Sequence, residues 1–177
     1  MNNKATILTY EYLHEAFSYK EGKLFWKNRP LHHFASSHSQ KIFNKRQGLT
    51  EAGTTLNGYR QIYFSVGKIA SHRIIFMMHH AYLPPEIDHI DGNPGNNLIE
   101  NLRAATHSQN LKNSRTYKAN KTGFKGVCLH KTSGKFFAFI FENGKQKHLG
   151  SFKSAEEAAI VRKAAEKKYY GNFANER

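Results

Sequence analysis

The chain has 177 residues, a single cysteine, a formal charge of +14 and a sequence pI near 9.9. One cysteine excludes an intrachain disulfide framework and a cysteine-built zinc site, and so large a positive excess points to a polyanionic partner, most often nucleic acid. The N-terminal stretch lacks the charged-then-apolar pattern of a signal peptide and no apolar run approaches the roughly 18 residues of a membrane span, so a soluble, cytoplasmic protein with no membrane partner is expected.

In chain order, residues 7–17 read as a short helix with Leu13 and Phe17 four apart, and GKLFW (22–26) reads as a strand. Residues 32–53 are polar and patternless and are expected to form a long loop. Asn57-Gly58 is a strong turn signal before the strand 59–64. HRIIFMMHHAY (72–82) is a buried helix stopped by Pro84-Pro85. A short strand, 86–90, enters a turn-rich loop at 91–97, and 98–103 returns as a second arm. Thr106 and Gln109 fit a capping box that opens a helix reaching about residue 117. A polar, basic linker over 114–122 leads to three strand candidates, 127–130, 135–141 and 145–149, with Asn143-Gly144 at the second turn. Ser154 and Glu157 form another capping box, opening a helix to about residue 170 whose alanines make a narrow apolar face.

Acidic and basic residues balance in 81–120, while the positive excess lies in the flanks. Acids gathered in the middle of a basic chain suggest work that basic side chains cannot do. Cutting a phosphodiester needs a base that works near neutral pH, which suits a histidine, and stabilisation of the leaving sugar oxygen, which a bound metal provides. His89 supplies the imidazole. Asp88 offers a carboxylate and Asn110 an amide oxygen, the hard donors that Mg²⁺ prefers, and Asn101 on the second arm is placed to orient the imidazole. A lone Asp-His pair is usually a surface feature, and asparagines are common in turns and on helix surfaces. The combination of hairpin and capped helix gives the set its weight.

Residues 86–113, EIDHIDGNPGNNLIENLRAATHSQNLKN, resemble the ββα-metal motif of HNH endonucleases, in the branch of phage and intron-encoded homing enzymes. GKLFW, LNGYRQIYF, SHR and PPEIDHIDGN are similar to the N-terminal part of those enzymes. The resemblance implies His89 as general base, Asp88 and Asn110 as metal ligands, Asn113 as the reserve ligand one helical turn along, and Asn101 as the residue that positions His89. Oxygen donors at both ligand positions favour Mg²⁺, with Mn²⁺ as the alternative, over Zn²⁺. His72 and Arg73 match the family's His-Arg pair and are expected to be structural or to touch phosphate. Arg103 joins Arg73 among the expected DNA contacts. His32, His33, His38, His79 and His80 read as loop and helix-surface residues, not as a second metal site.

The C-terminal stretch GFKGVCLHKTSGKFFAFIFENGKQKHLGSFKSAEEAA resembles the APETALA-type DNA-binding domain of plant ethylene-response factors. The implied fold class is α+β: an HNH nuclease core over 1–113, a linker over 114–122, and a three-stranded antiparallel sheet packed on one helix over 123–177. Strand alternation turns Phe136, Ala138 and Ile140 toward that helix and Phe137, Phe139 and Phe141 outward, with Lys125, His130, Gln146 and His148 expected on the outward face toward DNA. Three outward phenylalanines depart from that family's polar pattern: they fit contact with thymine methyls or groove shape in place of hydrogen-bond readout, or equally a protein–protein patch. Lys131, Lys135, Lys145 and Lys147 fit phosphate contacts or solvated charge. The resulting expectation is a site-preferring, homing-type endonuclease on double-stranded DNA, phage-encoded and acting in a bacterial cell. As a monomer it is expected to nick, and a two-strand cut needs a DNA-assembled dimer or two successive events. A non-enzymatic DNA-binding regulator and an RNA-binding protein are the alternative classes.

Overall fold

The computed structural model describes residues 9–64, 67–114 and 120–174. By its internal contacts the chain divides into two units, Met1–Thr106 and His107–Arg177. Both mix helices with small antiparallel sheets, the expected α+β class.

The first unit opens with α1 (Tyr10–Ala16), capped by the Thr9 side chain, which accepts from the Tyr12 N–H. Phe17 leaves the helix in extended geometry and begins the hairpin β1 (Phe17–Lys20) and β2 (Lys23–Trp26). The sequence reading ran the helix through Phe17 and saw only the second strand. Phe17 is apolar in either period, and the turn that decides the matter is Glu21-Gly22, with φ of 48° and 77°, the backbone a tight two-residue hairpin requires.

The expected loop after residue 32 contains a second helix, α2 (Ser37–Gln47), started by Ser36, whose hydroxyl accepts from the Ser39 N–H. None of its residues is fully buried, so it carries no apolar stripe for periodicity to detect. A three-stranded sheet follows, β3 (Thr54–Leu56), β4 (Tyr59–Phe64) and β5 (Gly67–Ala70), in that spatial order. Asn57 and Gly58 both have positive φ, as the turn signal required. Helix α3 (Ser71–His80) buries Ile74, Ile75, Phe76 and Met78, and stops where Ala81 turns left-handed before the two prolines. Leu13, Phe17, Leu24, Trp26, Ile62 and Ile74 share one core with Ile87 and Leu102. The last two belong to β6 (Glu86–His89) and β7 (Leu102–Ala105), so the hairpin that carries Asp88 and His89 is rooted directly in that core.

The second unit begins with α4 (His107–Asn113), directly after the predicted cap Thr106. The expected continuation of this helix and most of the predicted linker fall on residues 115–119, outside the described residues. The expected nuclease domain runs through residue 113, whereas the contacts group α4 with the second unit. The Lys125 ammonium accounts for part of this: it donates to the carbonyls of Leu111, Lys112 and Ser114 at 3.2, 2.7 and 2.9 Å, closing the carbonyl end of the helix.

The sheet runs β10-β9-β8, from β8 (Val127–Leu129), β9 (Phe136–Glu142) and β10 (Lys145–Phe152), and α5 (Ala155–Tyr170) packs on it. Ala138 and Ile140 are fully buried against that helix with Ala158, Ala165 and Tyr170, as the alternation predicted. Ser154 caps the helix by accepting from the Glu157 N–H at 3.1 Å. Among the described residues, no helix is long and apolar enough to cross a membrane.

Candidate active site

Asp88 and His89 are consecutive on β6, and the ladder sets Asp88 opposite Arg103 and His89 opposite Leu102. Both are buried, at 4% and 6% exposure. A buried carboxylate is expensive unless its charge is balanced, and Arg103 balances it: Nε and Nη2 both donate to Asp88 Oδ2, at 2.8 and 2.6 Å. The predicted DNA contact Arg103 is thus engaged with the predicted metal ligand.

The imidazole is held by a residue the sequence reading left among the turn asparagines. His89 Nε2 lies 3.0 Å from the side-chain oxygen of Asn97, itself buried. An amide oxygen only accepts, so this contact keeps the proton on Nε2 and puts the basic lone pair on Nδ1. Asn97 is in turn fixed by the first hairpin. Gly22 sits so close to the Asn97–Leu98 backbone that an added Cβ would meet Leu98 N at 3.0 Å and the Asn97 carbonyl carbon at 3.1 Å. The Gly in GKLFW therefore serves both its positive φ and this approach. The Tyr19 hydroxyl, on the same hairpin, accepts from Ile99 N–H at 3.1 Å.

Asn101, expected on the second arm with its amide toward His89, lies instead in a 3-10 turn, Ile99–Asn101, just before β7. Its Oδ1 accepts from the Asp91 N–H, and its Nδ2 donates to Asp91 Oδ1 and Asn96 O, at 3.0, 3.0 and 2.8 Å. It staples the loop closed and acts on His89 through the backbone, where Gly92 N–H donates to His89 O at 2.7 Å. Burial raises the Asp91 carboxyl, but hydrogen bonds from Asn93 N–H, Asn96 and Asn101, with the His89 charge, outweigh it and hold Asp91 below the ordinary range. Asn93 and Asn96 also cap their own turns, to Gly95 and Leu98 N–H. One asparagine more than the turn needs was the only sequence sign of Asn97.

His72, in the first turn of α3, brings its ring to 5.1 Å from that of His89, and Tyr59 stands 5.9 Å from His72 and 6.2 Å from His89. Burial, then the charges of His89 and Arg73, push His72 down to about 3, so it stays neutral beside His89 at neutral pH. Arg73 follows it on the helix, half-buried. A cleft of about 320 Å³ lined by Lys23, Arg60, Ser71 and Asn97 opens beside this group.

Asn110 and Asn113 lie on α4, in the second unit; Asn110 is half-buried and Asn113 buried. On the sheet of that unit the predicted outward residues share one face. The Phe137 ring stacks on His130 at 4.8 Å and meets His148 edge-on at 5.3 Å, and Gln146 and His148 pair with Phe141 and Phe139 across the ladder. Lys125, grouped with them in the sequence reading, has its ammonium on the α4 carbonyls.

Among the described residues, one group of three acidic or imidazole side chains has metal-ligand spacing, Glu15 with His32 and His33. Both imidazole Nε2 atoms meet Glu15 Oε2, at 2.7 and 2.8 Å. Arg29 Nε donates to His33 Nδ1 at 3.2 Å, which leaves the His33 proton on Nε2, pointing at the carboxylate. The three side chains form a hydrogen-bond chain, and the His33 side chain is buried, not on the surface as the sequence suggests.

The HNH endonuclease family profile matches residues 70–112, from the start of α3 through both strands of the Asp88–His89 hairpin and into α4. The chain is 35% identical over 88 residues to protein 3.8 of Escherichia phage T7, covering half of this chain and 72% of that protein. It is 31% identical over 121 residues to an HNH endonuclease of Acanthamoeba polyphaga mimivirus, covering 67% of this chain and 62% of that one. No solved structure matches the chain. The family match lies over the hairpin on which a buried histidine and a buried carboxylate stand consecutively: residues 70–112 form an HNH endonuclease domain, the domain of a DNA-cleaving phosphodiester hydrolase.

Proposed function

We propose that the protein is a metal-dependent, site-preferring endonuclease of the homing type that nicks one strand of double-stranded DNA per active site. The observation that carries this reading is the fixed imidazole. His89 is buried, tethered through Nε2 to Asn97, and adjacent in sequence to a buried carboxylate. With Nδ1 as its basic nitrogen, His89 takes a proton from water as that water attacks the phosphorus, while Asn97 keeps the ring from turning. His72 stays uncharged and so does not compete for the proton.

The donor set fits a hard divalent cation. Asp88 supplies a buried carboxylate whose charge already has a cation against it, Arg103, and Asn110, with Asn113 in reserve, supplies an amide oxygen. Mg²⁺, or Mn²⁺ in its place, would contribute stabilisation of the charge that builds on the leaving sugar oxygen. The second unit is read as an APETALA-type DNA-binding module. Its sheet face bearing His130, Phe137, Phe139, Gln146 and His148 lies toward DNA, and Arg73 contacts backbone phosphate.

The test is conversion of supercoiled plasmid and phage genomic DNA to open circles, in Mg²⁺ and in EDTA, by the wild type and by His89→Ala. Nicking that requires the metal and disappears in His89→Ala, with DNA binding retained, is the expected result. Equal nicking by the variant, or nicking in EDTA, would overturn the assignment.

A further inference from the structure

The Asp88–Arg103 pair has an uncommon form. Arginine usually spreads its fork over both oxygens of a carboxylate, but here Nε and Nη2 both donate to Oδ2, at 2.8 and 2.6 Å. The two residues face each other across the β6–β7 ladder, so their backbones cannot separate without opening the hairpin. The arginine side chain puts four rotatable bonds between that backbone and the guanidinium. Its side chain keeps 17% of its surface exposed, against 5% for that of Asp88. The guanidinium can therefore swing outward while the carboxylate stays where it is. Guanidinium is also permanently charged at any pH the protein meets. It thus serves as a stand-in cation that leaves by rotation.

We propose that Arg103 is the built-in counterion of Asp88, holding the carboxylate in the metal-free protein and competing with the divalent cation for Oδ2. The inference rests on the reading of Asp88 as a metal ligand. Two consequences follow from simple competition. Metal binding has to displace the guanidinium, so wild-type affinity is weaker than the oxygen donors alone would give. The displaced guanidinium becomes a cation at the mouth of the site, where a DNA phosphate can take it, so DNA and metal favour each other's binding. Arg103 is in this view a positioning residue, and its effect is visible without any cleavage.

Mn²⁺ binding to the full-length protein in the absence of DNA, followed by electron paramagnetic resonance, provides the test, with wild type, Arg103→Gln, Arg103→Lys and Asp88→Asn compared. Arg103→Gln is expected to bind Mn²⁺ about tenfold more tightly than wild type, and Arg103→Lys to lie between them. Mn²⁺ should raise the Tm of Arg103→Gln by more than it raises that of wild type, because in the variant the metal no longer competes with the guanidinium for the buried carboxylate. Asp88→Asn should lose the site. If Arg103→Gln is too unstable to study, Arg103→Lys carries the comparison, since a lysine competes through a single ammonium without the fork. Unchanged or weaker Mn²⁺ affinity in the arginine variants, with binding lost in Asp88→Asn, would make Arg103 a structural partner and end the inference while leaving Asp88 a ligand. Wild-type affinity in Asp88→Asn would end the metal-ligand reading itself, and the inference with it.

Discussion

A histidine becomes a useful base only when one of its nitrogens is committed elsewhere. Asn97 provides that commitment, and its effect is testable apart from the metal. Asn97→Ala removes the acceptor that orients Nε2–H toward the loop and leaves a buried donor to be satisfied by other means. Single-turnover nicking is expected to fall roughly 10- to 100-fold, the usual loss when the partner that orients a functional imidazole is removed. Stability measured by urea denaturation should fall by about 1–3 kcal/mol, as for other buried hydrogen bonds broken on one side. Asn97→Asp keeps an acceptor at the same position and should retain more activity than the alanine variant. Equal rates for wild type and Asn97→Ala would remove Asn97 from the mechanism. His89 and Asp88 stand out in the sequence because their strand, the turn after it and the capped helix together resemble the HNH motif. Asn97 does not, because an amide that serves its own turn and one that serves a ring eight residues earlier look alike in a run of asparagines.

Among the elements, the segment between β6 and β7 does more than reverse the chain. Asn101 ties it to Asp91 and Asn96, and Asp91 holds Asn93 N–H and the Asn96 amide. Asp91 is held below its ordinary range in the folded protein, so its contribution to stability is fully present above the unfolded value. It is lost as pH falls through the lowered folded value, on the acid side of about pH 4. Asn101→Asp reverses the sign. It removes the Nδ2 donors and sets a second carboxylate against Asp91, and two like charges in one site raise the value at which one of them takes a proton. The variant is therefore expected to be less stable than wild type at pH 7 and to recover stability on acidification, while the wild type only loses it. Urea denaturation between pH 7 and pH 3 measures both slopes, and parallel curves would show that Asn101 and Asp91 are not coupled.

The same scale shows which elements a sequence can reveal. Hairpins announced by Asn57-Gly58 and Asn143-Gly144, and the helix opened by Ser154, formed as read, because each is specified by residues within a few positions of one another. Helix α2 was missed because it buries no complete face, and Asn44, which fastens it by bonding the Arg29 N–H and carbonyl at 2.9 and 3.1 Å, acts across 15 residues of sequence. Asn101 is expected on the second arm but lies in the 3-10 turn just ahead of β7, with its amide bonded to Asp91 and Asn96, and nothing in the order of residues signals that turn.

For the whole molecule, the question is how a charge of +14 is used. The imidazole and carboxylate belong to the first unit, while exposed Lys131, Lys135 and Lys145 belong to the second. If those lysines meet DNA phosphates, they add affinity through counterion release without sequence information, and each contact contributes roughly 0.9 to the slope of log affinity against log salt. Replacing all three with glutamine is then expected to lower that slope by roughly two to three. The nicking rate at saturating protein should stay near wild type, because His89, Asn97 and Asp88 are untouched. His89→Ala should do the converse, abolishing nicking with the salt slope retained. Fluorescence anisotropy on a labelled duplex over a series of salt concentrations gives the slopes. An unchanged slope in the triple variant would mean that the charge of the second unit is solvated, and that any DNA contact it makes runs through the His130–Phe137–His148 face, where aromatic and imidazole rings leave little dependence on salt.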